Sequence, residues 1–136
     1  MPVLPSYANG FASPPSPVPF ERLVISEFRF RGPAGVAHEY IQLTNITGES
    51  ITVSTVDGSS GWALVAISSN GSTSTKFVIP NATIIPAGAH YLAANSAYSL
   101  TANATPDRSY TGDIGDNTGI ALFRTANPAN FIQRAN

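Results

Sequence analysis

The strongest constraint in this chain is a succession of short apolar runs, each closed by a turn signal about every 8–12 residues, the rhythm of a sandwich or barrel. RLVISEFRF (22–30) is rich in β-branched and aromatic residues and is broken by RGPAG (31–35). In EYIQLTN (39–45), Ile41 and Leu43 fall on one face and Tyr40, Gln42 and Thr44 on the other. ITVSTV (51–56) alternates as well and ends in the turn DGSSG (57–61). WALVAIS (62–68) is the most apolar run and reads as a central strand. SNGSTST (69–75) reads as a hairpin tip built on Asn70–Gly71, with short strands KFVIP (76–80) and ATII (82–85) after it. PAG (86–88) turns the chain into HYLAAN (90–95), and residues 96–100 read as one helical turn. A polar stretch covers 101–118, and GIALFR (119–124) is the last clear strand. No long stretch has helical periodicity and there is no internal repeat, so the chain is predicted to be all-β.

At 136 residues the chain has the length of one domain and can bury a core without disulfides. It has no cysteine, which excludes disulfides, thiol catalysis and Cys-based zinc sites. Charged residues make up only 11%, with 15 Ser and 12 Thr in their place and Lys76 the single lysine. A net charge of −1 offers no basic patch for phosphates, so nucleic acid is not an expected partner. Weak self-repulsion favours association with other chains. No run approaches the roughly 20 apolar residues of a membrane span. None has the charged start and apolar core of a signal peptide either, so a secreted protein would have had its signal removed.

Residues 1–20 read as an extended arm. Pro2, Pro5, Pro14, Pro15, Pro17 and Pro19 favour polyproline-like backbone. Leu4, Tyr7, Phe11, Val18 and Phe20 are spaced along it, apolar side chains that a solvated linker does not need. The arm is either a flexible tail or a segment that docks on its own domain or a neighbour's.

LVISEFRFRGPAG, HEYIQLTN, GW before an apolar strand, FVIPNATIIPAGAHYLAAN and YTGDIGDNTGIALFR stand in one collinear order over about residues 23–124. In that order they resemble the lamin-tail domain, in the form carried by secreted and surface proteins of bacteria. The resemblance implies an immunoglobulin-like β-sandwich of two antiparallel sheets over residues 21–136, preceded by the Pro-rich arm. It implies an interaction module and no particular chemistry. In such domains the strand matching GIALFR is followed by a turn and one more strand. Here NPANFIQRAN (127–136) supplies the turn, and the chain stops where that strand is expected. Either residues 131–134, with Phe131 and Ile132, form a shortened closing strand, or an edge stays open to the arm of another copy.

Other candidate sites carry competing readings. Asp107, Asp113, Asp116 and Asn117 gather oxygen ligands in a Gly-rich stretch that suits Ca²⁺, although Asx turns account for the same residues without a metal. His38, beside Glu39, and His90 are the only histidines and with scattered carboxylates suit a metal or general-base site, although a strand entry for His38 and a place just after a turn for His90 are ordinary surface positions. There is no Gly-x-Ser-x-Gly elbow, no HExxH and no recognisable carboxylate pair, so no catalytic residue is expected. Glu27, Glu39 and Asn45 read as a polar ligand patch or as residues that fix turns and pair with Arg29 and Arg31. Trp62 reads as core, with sugar stacking as the alternative. Asn45, Asn70, Asn81 and Asn103 begin Asn-x-Ser/Thr sequons.

The leading expectation is therefore a non-enzymatic extracellular or cell-surface module that assembles with copies of itself or another surface protein. The alternative is a carbohydrate- or Ca²⁺-binding accessory module of a secreted protein.

Overall fold

Six consecutive buried residues, GWALVA (61–66), leave no face for water, so their strand needs hydrogen-bonded neighbours on both sides. The computed structural model, which describes residues 22–131, supplies them. β4 (Gly61–Ile67) runs antiparallel between β5 (Thr73–Pro80) and β9 (Gly119–Phe123). The β4–β5 hairpin turns over Ser68–Ser72, where Gly71 takes a φ of +83° and the Asn70 carboxamide accepts the Ser72 N–H at 2.9 Å. Strand pairing begins at Thr73, so the tip is shorter and β5 longer than the STST sequence suggests.

A second sheet joins four strands in the order β1 (Leu23–Arg29), β2 (Tyr40–Asn45), β7 (His90–Asn95) and β8 (Arg108–Tyr110). Its first three are antiparallel. β8 is parallel to β7, and residues 96–107 provide the long crossover that such a pair requires. A third, two-stranded sheet pairs β3 (Ile51–Thr52) with β6 (Ile84–Ile85). With 44% strand and 5% helix the fold is all-β. It departs from a plan of two antiparallel sheets in having three sheets and one parallel pair.

Two other expectations change. Residues 96–100 form turns instead of a helical turn, because the Asn95 side chain accepts the Ala97 N–H at 3.0 Å and closes an Asx turn. The polar stretch 101–118 contains β8 and the fully buried Ile114.

One apolar cluster draws on all three sheets: Leu23, Ile41, Leu43, Ile51, Trp62, Leu64, Phe77, Ile79, Ile85, Tyr91 and Tyr110 are among its members. Each aliphatic side chain fully withdrawn from water contributes about 1.5–3 kcal/mol. Ala63 and Val65, also fully buried, point away from this cluster and are flanked by Val78, Ala121 and Phe123 across the β4 ladders. Phe131 stacks on Phe123 with ring centroids 4.7 Å apart, so the chain after β9 folds back over that side. Gly61 admits no side chain, since a Cβ there would lie 2.0 Å from the Ile79 carbonyl oxygen. The expected core Trp62 is 5% exposed, its indole N–H donating to the Ser54 carbonyl at 2.7 Å.

Candidate functional site

β1 carries one extra residue relative to β2. Ile25 pairs with Leu43 and Glu27 with Gln42, so Ser26 is a bulge. The bulge keeps Ile25 and Phe28 on the same face, opposite Leu43 and Ile41 respectively. That face is the core side, yet Phe28 is 54% exposed. Its ring lies 4.8 Å from Phe30, which packs on the edge of the core.

β9 is the matching feature on the other sheet. Ile120 and Leu122 stand across from Ala66 and Leu64 and reach the core only in part. Among the described residues, β9 pairs with β4 alone and β1 with β2 alone. The two strands approach within contact distance without pairing. Two unpaired edges therefore lie side by side, with Ile25, Phe28, Phe30, Ile120 and Leu122 between them. Such an arrangement can accept a strand, whose backbone completes a ladder while alternate side chains cover the apolar row.

The segment beyond β9 is held by polar contacts. Asp57 Oδ2 accepts from the Thr125 hydroxyl and, at 2.7 Å, from Asn130 Nδ2. Its Oδ1 accepts from the Ser59 N–H at 3.1 Å and hydroxyl at 2.7 Å. These donors, Thr125 foremost, hold the Asp57 carboxyl well below the usual carboxylate range. Asn127 caps the short 3-10 turn Pro128–Asn130 by accepting the Ala129 N–H at 3.1 Å, and this turn delivers Phe131 to Phe123.

The other candidates separate. Asp107 Oδ2 accepts the Leu92 N–H at 2.8 Å and anchors the start of β8 to β7. Asp113 offers its carbonyl to Lys76 at 2.9 Å, and Asp116 lies 3.8 Å from Arg31. Among the described residues, no group of three or more His, Asp or Glu is placed to hold a metal ion. His90 Nδ1 lies 2.7 Å from the Thr44 hydroxyl on the outer face, and His38 closes the 3-10 turn Val36–His38. Glu27 accepts from the Tyr40 hydroxyl, so neither it nor Glu39 pairs with Arg29 or Arg31. Lys76, Asp113, Ser72, Ser74, Thr118 and Ile114 are among the residues that line a small open cleft of about 210 Å³.

Two buried polar residues brace loops. Asn45 Nδ2 donates to the carbonyls of Glu49, Ile85 and Pro86 at 2.8–3.0 Å. Glu39, fully buried, accepts the Ile114 N–H at 3.0 Å and Asn95 Nδ2 at 3.3 Å. The Tyr110 hydroxyl is buried without a hydrogen-bond partner among the described residues. Burial, with the nearby Glu39 carboxylate second, pushes its pKa far up.

Of the expected assembly residues, Phe131 is described, whereas Leu4, Tyr7, Phe11, Val18, Phe20 and Ile132 lie outside the described residues. Ile25, Phe28, Phe30, Ile120 and Leu122 were not singled out in the sequence. The signal that finds them is register, because only the Ser26 bulge shows that Phe28 shares a face with Ile41. No helix among the described residues is long and apolar enough to cross a membrane. No protein-family model matches the chain, and no curated protein matches it.

Proposed function

We propose that the chain is an immunoglobulin-like β-sandwich of lamin-tail type that works outside the cell as a non-enzymatic interaction module, joining copies of itself or attaching to another surface protein. The observation that carries this reading is that β1 and β9, each paired on one side only among the described residues, lie within contact distance while the core-facing Phe28 is 54% exposed. The small charged fraction, 11%, adds little repulsion to oppose association. The collinear motif order over about residues 23–124 supports the lamin-tail assignment, and the four-stranded and three-stranded ladders around one core are compatible with its two layers.

Size-exclusion chromatography with light scattering on the full chain tests the association. Species larger than a monomer that grow with concentration are expected. A monomer at about 100 µM, which populates any association tighter than that, sinks self-assembly. The second reading, a carbohydrate-binding accessory module, has one supporting feature, the small open cleft at Lys76 and Asp113. Calorimetric titration with oligosaccharides tests it, with loss of the heat signal in Lys76→Ala as the expected sign.

A further inference from the structure

A strand added to β9 must offer consecutive N–H and C=O groups and an alternate row of apolar side chains. Proline lacks the N–H, so Pro14, Pro15, Pro17 and Pro19 disqualify the part of the chain nearest β1. Before β1, the longest proline-free run is SYANGFAS (6–13). In an extended backbone Tyr7, Asn9 and Phe11 share one face, and Ala8, Gly10 and Ala12 the other. The bulky face matches the exposed Phe28 and the half-buried Ile25, Phe30 and Leu122. The small face matches the side where Phe123 already carries Phe131. Eight residues extend about 26 Å, more than the roughly 17 Å of a five-residue strand such as β9.

We infer that residues 6–13 of a second copy add to the edge of β9 that is unpaired among the described residues, extending its sheet by one strand and seating Tyr7 and Phe11 against Phe28. The inference rests on the self-association reading and names its occupant. The spacer decides between self and neighbour. Because β1 and β9 lie within contact distance, a chain pairing with its own β9 must reverse tightly just before β1. Four prolines between positions 14 and 19 favour extended polyproline geometry there, about 3.1 Å per residue, and residues 14–22 then span about 28 Å. In the proposed pairing, a spacer of that length and stiffness suits a donor strand that reaches a neighbouring copy.

The absence of native cysteine makes the test direct. Full chains carrying Ala8→Cys, Gly10→Cys or Ala12→Cys are mixed with full chains carrying Ala121→Cys and oxidised. At least one mixture is expected to give a disulfide-linked heterodimer, at about tenfold the yield of a control with exposed Ala102→Cys, because a disulfide forms only where Cα atoms come within about 7 Å. The double variant Tyr7→Ser/Phe11→Ser is expected to weaken association at least tenfold with an unchanged circular dichroism spectrum. Oligomers that persist in that variant and cross-link no better than the control overturn the inference and leave the association reading standing. Chains with both cysteines that close within a monomer overturn the second copy as donor. A wild-type chain that stays monomeric overturns the reading and the inference together.

Discussion

Phe28 stands directly across from Ile41 in the β1–β2 register, yet Ile41 is fully buried and Phe28 is 54% exposed. The pair marks the line where the apolar interior continues past the last strand that covers it. Phe28→Ser is expected to change the unfolding free energy by less than about 1 kcal/mol, the range for exposed sites, and to weaken association at least tenfold. Ile41→Ala is expected to cost about 2–5 kcal/mol through the cavity it leaves. Urea denaturation and light scattering on the same samples separate the two effects.

Glu39 is the most consequential polar residue of the interior. Glu39→Leu strands the Ile114 N–H and the Asn95 amide without their acceptor and is expected to cost about 3 kcal/mol or more. Glu39→Gln keeps one carbonyl acceptor and is expected to cost about half as much. Chemical denaturation of both variants checks the order.

Tyr110→Phe runs against the usual sense of a core substitution. The hydroxyl it removes has no partner among the described residues, so the variant is expected to match or exceed the parent in stability at neutral pH. The raised pKa adds a sign. A group that holds its proton in the fold beyond its unfolded value of 10.0 contributes stability below pH 10 that is lost as the pH climbs above it. Thermal melts between pH 8 and about 11 should fall less steeply in Tyr110→Phe than in the parent, allowing for the ordinary tyrosine pKa near 10.

Asp57 gives the opposite sense. Its carboxyl is held below the ordinary aspartate value of 3.8, so the stabilisation is complete above that pH and is lost as the pH falls through the lower folded value. Acid titration should loosen residues 125–131 first, because Asp57 binds Thr125 and Asn130. In Asp57→Asn that acid dependence should disappear, and hydrogen exchange of the Ala126 and Asn127 amides reads it out.

Asn45→Asp sets a carboxylate against the three carbonyls that now receive the Asn45 amide, of Glu49, Ile85 and Pro86. It is expected to cost more than Asn45→Ala, by about 1 kcal/mol or more, as a fall in melting temperature.

The strands carrying the core were readable where side-chain period and burial agree, as at Ile41 and Leu43, at WALVAI and at HYLAAN. β8 was not, because Arg108–Tyr110 is too short for a period to show and its pairing with β7 is fixed by the remote contact of Asp107 with Leu92. Glu39 reads in the sequence as part of a polar patch or as a turn-fixing residue, since its burial depends on Ile114 folding over it from 75 residues away. The apolar row at the edges was hidden for a related reason. Phe28 alternates like its neighbours in the sequence, and only the bulge at Ser26 turns it toward the interior.

The position of β9 beside β4 also has a kinetic consequence. β5 meets β4 across a short turn, while the β9 residues that pair with β4 lie 52 to 60 positions further along the chain. Closing a long loop costs more entropy than closing a hairpin, so β4–β5 forms first and β9 settles late. An edge assembled that late exists only on a domain whose interior is already in place. In the proposed assembly, a chain whose β9 has not yet paired with β4 has no β9 edge to offer a neighbour.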